Sequence, residues 1–361
     1  MSKFKLIPNL SSSPHVRLGI SVNQIMYQVI YALLPICAYA IYAFGLSVLL
    51  LIVCCVIVSI LTESLFCKLA RKSNTIADGS VIITGILLAL CLPPGFPLWM
   101  AAVAAFISVA LGKVLFGGLG YNVFNPALVG RAFVQAAFPS AIVTWTPPFL
   151  SGRFTELIPS TMTMPFMKPI AIDNWLSIKQ TAMQSTAQVV DAFTGATPLA
   201  LQKFEQIPTP WQDLLSGTVA GSSGETSAII IVLCGLYLAV KKMLDWRIPV
   251  GVILGALCLS LPLWLWGDVL TDQPNYPNPL FVLFSGGLML GAVFMASDMV
   301  SSPLTSRAVW IYAIFIGVLT VLIRFFGGLN EGVMYAILLA NALVPLLSSI
   351  SGTSVFGSGK K

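Results

Sequence analysis

Apolar positions run unbroken along much of this chain, where a water-facing helix would interleave them with polar ones. Stretches such as 46–60 and 229–240 have no polar face at helical spacing, so each is buried on all sides, in lipid or among other helices. A crossing takes about 20 residues. The runs then predict ten helices, at 24–44, 46–66, 80–93, 97–116, 123–138, 228–243, 248–267, 279–297, 308–326 and 332–350. The third and fifth are short and read as broken or re-entrant segments. Polar stretches divide the rest into a tail at 1–23, membrane units at 24–138 and 228–350, a long polar segment at 139–227, and a second tail at 351–361.

The two membrane units echo each other. Trp99 is followed by apolar residues and then Leu115-Phe-Gly-Gly-Leu119; Trp310 is followed by apolar residues and then Phe325-Phe-Gly-Gly-Leu329. The glycine pairs are 327 − 117 = 210 residues apart. Each unit holds five predicted helices, an odd number, so the second enters the bilayer upside down relative to the first. That arrangement is an inverted repeat, in which sites form at the repeat interface near mid-membrane. Helix breakers at Pro93–Pro97 and Asn122–Pro126 fit a lined cavity, or simply tight turns.

Composition excludes a water-soluble chain. Only 9% of residues are charged and 57% are hydrophobic, with mean hydropathy +0.91, whereas soluble domains carry roughly 25% charged residues. Orientation follows from Lys and Arg. With the N-terminus inside, thirteen of the nineteen fall on the cytoplasmic side, among them Lys68, Arg71, Lys72, Lys113, Lys241, Lys242 and Arg247. The short outer loops at 93–97 and 268–279 carry none. Both tails are then cytoplasmic and 139–227 is extracytoplasmic. The net charge of +6 is a topology signal and points to no nucleic acid. Seven cysteines are scattered through apolar runs with no C-x-x-C, and His15 is the sole histidine, which argues against disulfides, a metal site and histidine-ligated haem.

The segment 139–227, 227 − 139 + 1 = 89 residues, is long for a loop in a compact membrane protein, and such loops are functional as a rule. A short surface helix is predicted at 172–188. Beyond it stands Asp191-Ala-Phe-Thr194-Gly195-Ala196-Thr197. This matches D-x-x-[S/T]-G-A-[S/T], the signature at which flavin transferases attach FMN to threonine through a phosphoester. A threonine hydroxyl is a poor nucleophile, so an external enzyme must deliver it to the FAD pyrophosphate. Gly195 and Ala196 leave the backbone open for that approach, and Asp191 helps position it. Read alone, a four-residue Thr-Gly-Ala-Thr stretch in a loop is a β-turn.

With these residues in view, the chain resembles the family formed by the D subunit of the Rnf complex and the B subunit of the sodium-pumping NADH:quinone oxidoreductase. Carrying the resemblance are the run Leu115–Ala127, the Thr194–Leu199 motif, Ser297–Pro303, Arg324–Gly328 and Leu338–Asn341. Met299 departs from the proline common in Rnf subunits. The resemblance implies a urea-transporter-like fold of ten helices, covalent FMN at Thr197 and a noncovalent riboflavin nearer the cytoplasm. It implies a bacterial inner-membrane location, partner subunits that include another flavinylated one, a flavin transferase, and electron transfer coupled to Na⁺ or H⁺ movement.

Five ionisable residues fall in or beside the apolar runs: Glu63, Arg131, Asp298, Arg324 and Glu331. Charge at the bilayer centre costs about 2.5–3.5 kcal/mol on insertion scales. All five lie near predicted helix ends, where snorkelling relieves that cost. Asp298, Glu331 and Glu63 are the candidates for an ion pathway or flavin contact; Arg131 and Arg324 suit a flavin phosphate or an acid. No residue is expected to be catalytic in its own right. The reading from all this is an electron-carrying subunit of a redox-driven ion pump. A passive solute channel on the same repeat is the alternative of another class, and it has no use for the flavinylation motif.

Overall fold

A computed structural model of the chain describes residues 21–71, 76–165, 167, 175, 197–207, 209–225, 227–270, 276–329 and 331–350. These are helical, with no strand among them. Named in chain order, the principal helices are α1 (Val22–Phe44), α2 (Leu46–Leu69), α3 (Ser80–Cys91), α4 (Leu98–Val109), α5 (Pro126–Ala137), α6 (Ala228–Val240), α7 (Arg247–Leu270), α8 (Pro279–Phe284), α9 (Ser306–Phe326) and α10 (Val333–Ile350). Five are long and apolar enough to cross a membrane: α1, α2, α7 up to Trp266, α9 and α10.

Local chemistry sets the boundaries. The Ser21 hydroxyl accepts from Gln24 N at 3.3 Å while the Gln24 carboxamide accepts from Ser21 N at 3.0 Å, a capping box that starts α1. Asn125 and Asn278 cap α5 and α8 alike, each followed by proline at the first helical position, where a missing N–H is harmless. The α1–α2 corner is stapled from the long loop: Arg153 donates from Nε to Tyr42 O at 2.8 Å, and its carbonyl accepts from Leu46 N.

The helix predicted at 279–297 is interrupted. α8 stops at Ser285, Gly286 takes φ +59°, and helix resumes at Leu288 before widening into a π-turn at Gly291–Met295. The sequence signal is Ser285-Gly286-Gly287, which hydropathy averaging does not see. Broken backbone at membrane depth persists only where protein satisfies it. Here Arg324, buried on α9, donates to Val282 O at 2.6 Å and Ser285 O at 2.9 Å. A second π-turn, Ala110–Val114, extends α4.

α7 and α9 make the closest crossing. Small residues spaced four apart face each other, Gly251 and Gly255 on one helix and Ala313 and Gly317 on the other; a Cβ at Gly317 would lie 2.6 Å from Ala256 N and 2.9 Å from Gly255 C. Without a hydrophobic drive between helices in lipid, such close approach supplies the van der Waals contact that holds them. The N-terminal and C-terminal halves meet where α1 packs on α6 and α5 on α10. Along α2 the wall of Val48, Leu51 and Cys55 is buried, whereas Leu49, Val53, Ile57, Leu61 and Leu65 face outward, as a lipid-facing surface requires.

Candidate functional site

Thr197 is 5% exposed and begins a helical turn, Pro198–Ala200 continuing through Leu201–Glu205. Its hydroxyl accepts from Ala200 N at 3.3 Å. The turn is pinned by Lys203, whose ammonium donates to the carbonyls of Arg324 (2.9 Å), Gly327 (2.6 Å) and Leu329 (3.2 Å) at the C-terminal end of α9. The Arg324 carbonyl is one that the helix end leaves without an intrahelical partner, and Gly327 and Leu329 lie just beyond the last helical residue, Phe326. Burial holds that ammonium below the usual lysine range. The other motif residues, Asp191, Thr194, Gly195 and Ala196, lie outside the described residues, as does the predicted 172–188 helix apart from Trp175.

Beside Thr197 lies a buried charge cluster drawn from three segments. Arg131 on α5 donates from one terminal nitrogen to Glu225 Oε1 at 3.5 Å and from the other to Glu331 Oε2. Its Nε has no hydrogen-bond partner among the described residues. Glu225 is carried in by the end of the long polar segment, where Gly224 N and Ser223 N donate to Leu90 O and Leu92 O at 2.8 and 3.1 Å. Those bonds also satisfy carbonyls at the end of α3. Burial pushes the Glu225 carboxyl above the usual carboxylate range, reinforced by Glu331 and opposed by Arg131. Arg131, Glu331 and Thr197 line one cleft together with Gln135, Trp145, Phe204 and Met334; it encloses ≈ 290 Å³.

A second cavity, ≈ 90 Å³, lies at the seam of the two halves and is lined by Ser80, Lys113, Asn122, Asn125, Phe294, Ser297 and Asp298 among others. Asp298 accepts from Asn122 Nδ2 at 3.2 Å, Ser301 Oγ at 2.9 Å and Val300 N at 3.4 Å. Those donors are all neutral. Glu63 is different: the Lys113 ammonium sits 2.8 and 2.9 Å from its two oxygens and 2.7 Å from Ser80 Oγ.

The structure therefore sorts the three candidate acids. Glu331 is bridged to Arg131 and Glu63 to Lys113, while Asp298 has no basic partner among the described residues. The expectation that the five membrane charges snorkel holds for none of Glu63, Arg131 and Arg324, which are 2%, 6% and 3% exposed. They are satisfied inside the protein instead, because a partner lies closer than the interface. Sequence reasoning missed Lys113, counted only as a cytoplasmic-side charge, and Glu225, an acid of the long polar segment that no motif singles out. Nothing in their local sequence signals a partner 50 or 94 residues away.

Apolar helices packed around buried, internally paired charge define a polytopic membrane protein. The chain belongs to the NQR2, RnfD, RnfE family, whose sequence profile matches residues 9–357. It is 38% identical to the D subunit of the proton-translocating ferredoxin:NAD(+) oxidoreductase complex of Clostridium ljungdahlii, over 98% of this chain and 97% of that protein. It is equally similar, 38% over 97% and 96%, to the D subunit of the Na(+)-translocating ferredoxin:NAD(+) oxidoreductase complex of Acetobacterium woodii. The D subunit of the ion-translocating oxidoreductase complex of Alcanivorax borkumensis is 34% identical over 96% of each chain.

Proposed function

We propose that this chain is the membrane-embedded D subunit of an Rnf-type, redox-driven ion pump of the bacterial inner membrane, carrying FMN esterified to Thr197 and relaying electrons between centres on the two faces of the membrane. The observation that carries this reading is the complete D-x-x-T-G-A-T motif, ending at a threonine whose side chain borders a cleft of ≈ 290 Å³. In the attachment, the Thr197 oxygen attacks the riboflavin-side phosphorus of FAD, the pyrophosphate bond breaks, AMP leaves and the hydroxyl proton is released.

The surroundings fit the group. Arg131 brings a guanidinium to the cleft whose buried Nε has no hydrogen-bond partner among the described residues, and Trp145, Phe204 and Met334 give the cleft apolar walls for a ring system. FMN supplies the electron chemistry when bound; the protein holds it, orients it and sets its electrostatics. A noncovalent riboflavin nearer the cytoplasm completes the proposed set; the seam cavity offers Asn122, Asn125 and Ser297 beside Phe294, and at ≈ 90 Å³ it would have to widen to admit one. Ten crossings in two inverted five-helix units is the architecture that best orders these elements. α2, α4 and α5 pack in succession in the first unit, as α7, α9 and α10 do in the second. The Lys and Arg distribution then puts the Thr197 segment outside and Asp298 toward the cytoplasm. Partners are the other subunits, one of them also flavinylated, and the transferase.

The test is direct. Co-expressed with a flavin transferase, the wild-type band should fluoresce under ultraviolet light after denaturing electrophoresis, and Thr197→Ala should be dark. A peptide digest should show the adduct of FMN minus water on the fragment containing Thr197. Full fluorescence in Thr197→Ala, or an adduct on Thr194, sinks the assignment.

Ion coupling is carried by Asp298, the candidate acid without a basic partner among the described residues. Asp298→Asn should cut ion pumping by the complex in proteoliposomes several-fold while leaving its covalent flavin content unchanged. Pumping at the wild-type rate would return Asp298 to the role of a turn cap.

A further inference from the structure

We propose that Arg131 positions the phosphate of the flavin ester on Thr197, and that Glu331 is the carboxylate it releases in order to do so. This rests on the reading of Thr197 as the attachment site. The geometry singles out Arg131. It is 6% exposed, lines the same cleft as Thr197 and Glu331, and keeps a buried Nε without a hydrogen-bond partner among the described residues, with the Cys91 thiol also against its side chain. A guanidinium has two bidentate edges, and Nε shares one of them with a terminal nitrogen. Glu331 reaches the guanidinium through Oε2 alone. A phosphodiester has two non-bridging oxygens at the separation such an edge accepts, so it fills two donors where Glu331 fills one.

Arg324, the other buried guanidinium nearby, is committed to the carbonyls of Val282 and Ser285 that hold the α8 break. Lys203 is committed to three carbonyls at the end of α9. Neither can turn to a phosphate without opening a helix end.

Of the two acids on Arg131, Glu331 is the one free to leave. Its side chain is 19% exposed and borders the cleft, whereas that of Glu225 is 4% exposed, on a segment bonded to the end of α3. The phosphodiester adds one negative charge to a cluster already holding two carboxylates. Moving Glu331 toward solvent relieves the repulsion at the lowest desolvation cost.

The experiment compares the full-length chain made with and without the transferase, purified in detergent, and reads the change in Tm that flavinylation produces. Gel fluorescence comes first: a dark wild-type band under co-expression refutes the attachment itself, and with it this inference. With a fluorescent wild-type band, flavinylation should raise Tm in the wild type and leave it unchanged in Arg131→Gln. Arg131→Lys, a point charge that cannot span two oxygens, should keep less than half of the rise. Glu331→Gln should lower Tm of the unmodified protein and recover it on flavinylation, giving a larger rise than wild type. Equal rises in all variants overturn the proposal while leaving the attachment standing. A dark Arg131→Gln band also overturns it, by placing Arg131 in transferase recognition. Should Arg131→Gln yield no folded protein, the Arg131→Lys and Glu331→Gln comparison decides alone, since a purely structural ion pair would shift both forms equally.

Discussion

Glu63→Leu is expected to destabilise the protein by about 3–5 kcal/mol, the cost of leaving one partner of a buried ion pair behind. Lys113 is 2% exposed, and apart from Glu63 its ammonium meets only the Ser80 hydroxyl among the described residues. Lys113→Met in the same chain should restore most of the loss. Replacing a whole buried pair by apolar side chains of similar volume is commonly neutral or better, because two desolvation penalties vanish together. Equilibrium unfolding in mixed detergent micelles, run as a double-mutant cycle, gives the coupling. Additive losses in the double variant would mean that Glu63 and Lys113 are each held by something other than the other.

At the α7–α9 crossing, Gly317→Leu should cost at least the upper end of the ~1–3 kcal/mol typical of overpacking. The obstacle at Gly317 is backbone, including Ala256 N and Gly255 C, and backbone cannot rotate aside as a side chain can. Gly328→Ala, where an added Cβ meets nothing within 4 Å, is the control and should be near neutral. The readout is thermal aggregation in detergent. Equal midpoints for the two variants would show that the helices separate freely there.

Most of the helices were legible from hydropathy, because lipid demands apolar side chains around the whole circumference of a helix. The run predicted at 46–66 is Leu46–Leu69, and 308–326 is Ser306–Phe326. The break at Ser285–Gly287 was not, since glycine averages into an apolar window while its φ of +59° at Gly286 ends the helix. The proposed attachment residue, Thr197, stood out because a covalent modification needs a local motif. Its neighbours did not: Arg131, Glu225 and Glu331 come from α5, the end of the long polar segment and the entry to α10. Their meeting depends on how the two halves close, and residue types at 94 and 200 positions' separation encode that only through the whole fold. The same holds for Asp298, whose Asn122 contact bridges the two halves.

Lys203 has a consequence for the proposed flavin. By tying the Thr197 turn to three carbonyls at and just beyond the end of α9, it makes Thr197 a fixed berth and not the tip of a swinging arm. A flavin moored there, as proposed, would sweep only the length of its own ribityl phosphate. Electron exchange with a distant centre would then depend on the travel of a neighbouring subunit, with this chain keeping station.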